Sequence, residues 1–259
     1  MRVTDARGRA VTIPAKPMRV VSLTPSNTEI LCAVGLRGRL VGVTGYCDYP
    51  GFVKSKPKIG DMTVSVEAVV ALKPDLVVAH AQMNESAVRK LEKLGLTVFA
   101  VDPKTIAEVA RDIRTIGRIV ARPKTADGVA KRLEQEVAAV RGRAAGRRAL
   151  VVIQSDPFWV AGPKTFVDEM LRLAGARNIA HDARPGFNTF SKELAVSRDP
   201  EVIIVGLESD VRYFTRDPAW KRTSAAADNR VFVVDHDLLV RPGPRLADGL
   251  RQLAAKLRF

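Results

Sequence analysis

Aromatic residues are scarce in this chain of 259 residues: nine Phe, three Tyr and two Trp make up 5% of it. Cysteine is scarcer still, with Cys32 and Cys47 alone, which excludes a disulfide-built scaffold and offers no Cys-x-x-Cys spacing for a metal or a redox pair. His80, His181 and His236 stand apart in sequence, so no metal ligand is assigned; a cluster drawn from separate loops is the alternative, and His80 reads equally as a capped loop residue after a strand. No run of 18 apolar residues is present, which excludes a spanning helix. The sequence also lacks a Gly-x-Ser-x-Gly elbow, a Walker loop and a Gly-x-Gly-x-x-Gly turn. No catalytic residue is therefore assigned, and an enzyme is not expected.

What is present is an ordinary globular mixture, 46% hydrophobic and 27% charged, with a basic excess: 42 Lys and Arg against 28 Asp and Glu, net +14 and pI near 10.2. This excess lies mainly on residues 1–148. It comes without a zinc finger, an RNA-binding aromatic motif or a basic heptad helix, so it reads as a solvated surface and no nucleic-acid partner is expected. Next to a membrane it would favour anionic headgroups. Met1 is followed by the polar stretch Arg2–Arg9 rather than an apolar leader. The chain reads either as cytoplasmic or as an exported protein given without its signal.

Short apolar runs alternate with helical patterns. Residues 3–5 and 10–13 read as a hairpin. Strands are expected at 19–23, 40–43, 75–79 and 97–101, and helices at 26–35 (capped by Ser26 or Asn27), 64–72, 84–94 and from about 105. Residues 125–143 read as one long helix with Val129, Leu133, Val137 and Val140 as its apolar stripe, broken by Arg141–Gly146. Strands at 149–153, 201–205 and 231–234 and helices at 164–174 and 244–258 follow. Nearly continuous apolar strands alternating with helices argue for parallel sheets covered on both faces. The expected organisation is a first lobe at 1–122, a bridging helix and linker at 123–148, and a second lobe at 149–259.

The two halves echo each other. Ser65-Val66-Glu67, a helix, Lys73-Pro74 and a buried strand recur as Ser191-Lys192-Glu193, a helix, Asp199-Pro200 and a buried strand. This singles out Glu67 and Glu193. Half of the aromatics fall in three expected loops, with Tyr46, Tyr49 and Phe52 in one, Phe158 and Trp159 in another, and Phe187 and Phe190 in a third. Loops after strands are where open α/β sheets hold ligands. Tyr49, Phe52, Phe158 and Phe190 read as packing residues, while Tyr46, Trp159 and Phe187 read as ligand-facing or packing.

Three segments, Val20–Glu29 (VVSLTPSNTE), Val41–Pro50 (VGVTGYCDYP) and Glu67–Val77 (EAVVALKPDLV), resemble the substrate-binding proteins of ABC importers for cobalamin, heme and iron-siderophores, and most of all the cobalamin branch with its Tyr-x-Asp-Tyr-Pro segment. The resemblance implies two Rossmann-like lobes with parallel sheets, joined by a single long helix, with the ligand cleft between the lobes. It implies a monomeric, non-enzymatic receptor outside the cytoplasm that hands cobalamin or a related corrinoid to a permease and its ATPase, with no catalytic cofactor. It carries ligand contacts onto Pro25, Tyr46, Trp159, Phe187, Asp237 and Arg241, and onto Met62, where a large aromatic stands in the compared relative. It carries permease docking onto Glu67 and Glu193. Heme or a ferric siderophore on the same scaffold, with Tyr46 as an iron ligand, is the first alternative; a cytoplasmic corrinoid chaperone or enzyme is the second.

Overall fold

The computed structural model describes residues 1–61, 63–140 and 145–258. The chain divides into two compact units, Met1–Pro103 with Glu108–Arg132, and Lys104–Ala107 with Leu133–Phe259.

The first unit opens with the expected hairpin, β1 (Arg2–Thr4) and β2 (Ala10–Thr12), antiparallel. Its turn is closed by the Asp5 carboxylate, which accepts from the amides of Arg7 and Arg9 and from the Arg9 guanidinium. Next come β3 (Val20–Ser22), α1 (Pro25–Ala33), β4 (Leu40–Gly42), α2 (Val66–Ala71), β5 (Leu76–His80), α3 (Glu85–Lys93), β6 (Val98–Val101), α4 (Ile106–Ile119) and α5 (Pro123–Ala139), the first residues of α4 and the last of α5 being counted with the second unit. The strands form a wholly parallel sheet in the order β4-β3-β5-β6. β3, β6 and all of β5 but His80 are buried, which is why they read as unbroken apolar runs.

Local chemistry moved three of the expected features. Helix α1 is capped by Thr24, whose Oγ1 accepts from the Asn27 amide, rather than by Ser26 or Asn27. Pro25 explains the shift, since its fixed φ and missing N–H suit the first helical position. His80 ends β5 instead of entering a loop. Of the expected stripe on α5 Leu133 is buried, together with Ala126 and Ala130, while Val129 and Val137, and Val140 just beyond the helix, are half-buried. At its start the helix meets α4 through small residues: a Cβ on Gly117 of α4 would lie 2.0 Å from the Ala126 Cβ, which puts alanine rather than Val129 at the contact. Arg141–Ala144 of the expected linker lie outside the described residues.

The second unit contains β7 (Arg148–Gln154), β8 (Trp159–Ala161), α6 (Phe166–Leu173), β9 (Arg177–Asn178), β10 (Phe187–Thr189), α7 (Lys192–Ser197), β11 (Val202–Val205), α8 (Glu208–Arg216), α9 (Ser224–Ala227), β12 (Val231–Val233), α10 (His236–Val240) and α11 (Leu246–Lys256). Its parallel centre, β7-β11-β12, is extended by β8 and β10, which run antiparallel, while β9 pairs with the start of β7. The added strands rest on long-range anchors. The Asn178 amide donates to Ala161 O and to the Asp168 carboxylate. Gly162 leaves room for the carbonyls of Arg184 and Gly186, each 2.8 Å from where a Cβ would sit. Phe158 joins the core by packing on Phe214 and Trp220, and Phe190 packs on the same cluster.

One half-buried acid stands out in the first unit. Burial raises the Asp112 carboxyl from 3.8 to about 7; Arg111 opposes this, and Glu108 and Asp102 reinforce it. The native state therefore holds a proton that the unfolded chain releases near its ordinary pKa. That contribution is fully present at pH below about 4 and lost as pH rises through about 7. Asp112→Asn is expected to raise stability at pH 8, on the order of 1 kcal/mol, and to change little at pH 4; thermal denaturation at both pH values checks this.

Candidate functional site

In the first unit, Pro25 and Tyr46 follow the carboxyl ends of β3 and β4. Pro25, half-buried, begins α1. Tyr46 is 53% exposed on a turn held by Gly45 N to Gly60 O and Cys47 N to Thr44 O. Beneath it runs a buried polar chain. Cys47 Sγ lies 3.1 Å from Thr28 Oγ1 and 3.2 Å from Thr44 Oγ1, Thr28 Oγ1 donates to Ser22 Oγ, and Ser22 Oγ donates to Thr24 O. These bonds tie the Tyr46 turn to α1 and β3 and leave the phenol ring outward. Tyr49, expected to pack, is 47% exposed. Phe52 lies under the Arg37 guanidinium at 4.4 Å. Met62 lies outside the described residues.

In the second unit, Trp159 on β8 is directly opposite Thr189 on β10, and Phe187 is two residues before Thr189. The pleat therefore sets Trp159 and Phe187 on one face as diagonal neighbours. Trp159 is 38% exposed, and Phe187 packs edge-on against Phe166 at 5.7 Å. Asp237 lies in α10 and Arg241 is the residue just after it, and the two pair with each other at 2.8 Å. The structure thus brings Trp159 to Phe187 and Asp237 to Arg241. The Asp235 side chain caps α10 by accepting from the Asp237 amide. Among the described residues no group of three or more His, Cys, Asp or Glu could hold a metal ion.

The two repeated glutamates are built alike. Ser65 Oγ caps α2 by accepting from the Ala68 amide and donates to Glu67 Oε2 at 3.2 Å. Ser191 Oγ caps α7 by accepting from the Leu194 amide and donates to Glu193 Oε2 at 2.8 Å. Both carboxylates are solvent-exposed. The Glu193 carboxyl is held below its ordinary range, first by its own backbone amide and then by Ser191. Each helix ends on a residue with left-handed backbone, Lys73 at φ 45° and Asp199 at φ 44°, followed by Pro. An arginine at the start of the neighbouring strand locks each turn: Arg19 donates to Leu72 O and Lys73 O, and Arg148 to Asp199 O. Asp75 and Glu201 answer by accepting from the amides of Arg19 and Arg148. The sequence reading missed these arginines and acids. The signal was an arginine heading the apolar run in each half, Arg19 before Val20 and Arg148 before Ala149.

Residues 20–238 match the family described as periplasmic binding protein. The chain belongs to that family. It is 35% identical, over 98% of this chain and 84% of the relative, to an uncharacterized ABC transporter substrate-binding lipoprotein of Bacillus subtilis. It is 33% identical, over 78% of this chain and 74% of the relative, to a vitamin B12-binding protein of Yersinia pestis. Its fold superposes with a TM-score of 0.82 on the periplasmic heme-binding protein of a Roseiflexus species, at 28% identity, covering 94% of this chain and 98% of that one. Within such an α/β binding fold, no helix among the described residues is long and apolar enough to cross a membrane.

The serine caps have a double effect that can be measured. Ser191→Ala is expected to cost about 1 kcal/mol of stability through the lost cap and to move the Glu193 pKa back up toward its ordinary value. Urea denaturation and an NMR titration of the Glu193 carboxyl read the two effects separately.

Proposed function

We propose that this protein captures cobalamin or a related corrinoid outside the cytoplasm and delivers it to the permease of an ABC importer, without catalysing a reaction on it. The observation that carries this reading is the pair of outward aromatics on rigid supports, Tyr46 at 53% exposure and Trp159 at 38%, in a chain one third identical to a vitamin B12-binding protein. Large aromatic faces left in water are useful when a flat macrocycle buries them. A corrin ring offers apolar faces with amide arms at its rim. Tyr46, Trp159 and Phe187 would cover the faces, and Pro25 and Met62 are the further contacts that the resemblance carries over. Asp237 would accept from amide N–H groups while Arg241 donates to amide carbonyls.

Delivery needs a second surface. Glu67 and Glu193 are exposed and held by serine hydroxyls, so each can meet an arginine of the permease in a charge-assisted contact. A competing cargo is heme, supported by the likeness to a heme-binding protein, with the exposed Tyr46 phenol able to reach iron.

Titration with cyanocobalamin and with hemin, followed by calorimetry and visible absorbance, separates the cargoes. One cyanocobalamin site per chain is expected, and Tyr46→Ala or Trp159→Ala should weaken it about tenfold, near 1.4 kcal/mol. Hemin binding with no cyanocobalamin binding at tens of micromolar, roughly 6 kcal/mol, would remove the corrinoid assignment.

A further inference from the structure

The repeat extends beyond the docking helices. After β5 and β11 the chain reads Glu85-Ser86-Ala87-Val88-Arg89 and Glu208-Ser209-Asp210-Val211-Arg212, which begin α3 and α8 in step. In this register Lys90 matches Tyr213, Lys93 matches Arg216, and Leu94 matches Asp217. From the serine caps, Val66 matches Lys192.

The two surfaces built on this common plan differ in one coupled way. In the first unit, Glu67 shares an open groove of about 600 Å³ with Val64, Val66, Lys90, Lys93 and Leu94. Leu94 is 62% exposed, Lys90 and Lys93 are exposed, and among the described residues neither lysine nor Glu67 is in an ion pair. In the second unit the counterparts of Val66 and Leu94 are Lys192 and Asp217, which pair with each other, with the Lys192 ammonium 5.7 Å from the centre of the Tyr213 ring. An apolar gap with free charges at one glutamate corresponds to a charge-paired surface at the other.

We infer that the Glu67 groove takes a permease segment carrying a cation for Glu67, an apolar side chain for Val66 and Leu94, and a carboxylate for Lys90 and Lys93, whereas Glu193 asks only for a cation. This rests on the docking role proposed above for Glu67 and Glu193. Charge complementarity selects the occupant: an unpaired anion and two unpaired cations in one groove favour a segment bearing both signs, and like charges brought together oppose the wrong one.

The test uses the full chain and its cognate permease–ATPase complex in nanodiscs of zwitterionic lipid, and in a second set containing anionic lipid. The readout is the receptor concentration giving half-maximal ATPase stimulation. Lys90→Glu with Lys93→Glu, and separately Val66→Lys with Leu94→Asp, are expected to raise that concentration at least tenfold in both lipids with cyanocobalamin binding unchanged; the melting temperature stays unchanged for the lysine variant, while loss of Val66, which packs on the core, lowers it in the other. Glu67→Gln should raise it as well. If Glu67→Gln weakens docking while both double variants stay within twofold of the parent, the groove assignment is wrong and the docking role stands. If Glu67→Gln has no effect, the docking role falls and takes the groove with it. A loss for the lysine variant confined to anionic discs would show the lysines reading the membrane, which also overturns the assignment.

Discussion

The return from a short helix into a fully buried parallel strand is the constraint on which both units depend. A helix leaves its last carbonyls without partners, and a strand buried on both faces tolerates no unpaired backbone at its entrance. Here a left-handed residue turns the chain, proline follows, and an arginine from the start of the adjacent strand supplies the missing donors. Arg19 serves Leu72 and Lys73, and Arg148 serves Asp199. Asp75 and Glu201 close the circuit by accepting from the amides of those same arginines. The helix is thereby fixed to the sheet at its end, while the serine cap fixes the glutamate at its start.

Function follows from that rigidity. A carboxylate on a mobile side chain loses entropy when a partner arrests it. Glu67 and Glu193 are already oriented by Ser65 and Ser191 on helices anchored to the central strands, so less ordering remains. The same economy holds at the aromatic loops. The buried chain from Ser22 through Thr28 and Cys47 to Thr44 supports the turn that carries Tyr46, and β10 supports the strand that carries Trp159. Rigid supports under exposed rings leave less ordering to be done when a ligand arrives.

The parallel strands were legible because burial on both faces leaves an unbroken apolar run, as in Leu76-Val77-Val78-Ala79. The matching build around Glu67 and Glu193 was legible because the repeat preserved serine, glutamate and proline at matched offsets. Strands β8, β9 and β10 were not, since they are two or three residues long and are held by the distant Asn178 amide and by the room at Gly162. The stripe of α5 was misread because hydrophobicity alone favours valine over alanine; the close approach at Gly117 reverses that preference, and nothing near residue 126 announces it. Tyr49 looked like a packing residue for the same reason, a large ring judged without its neighbours. Arg19 and Asp75 are 56 residues apart, so their pairing has no local signature.

The account stands most directly on the two glutamates acting as docking contacts rather than as helix-end decoration or ligand contacts. The decisive measurement is stimulation of the cognate transporter's ATPase by the double variant Glu67→Ala, Glu193→Ala, made alongside its cyanocobalamin titration. Abolished stimulation with unchanged ligand binding is the predicted result. Full stimulation, or loss of ligand binding with stimulation retained, would contradict it.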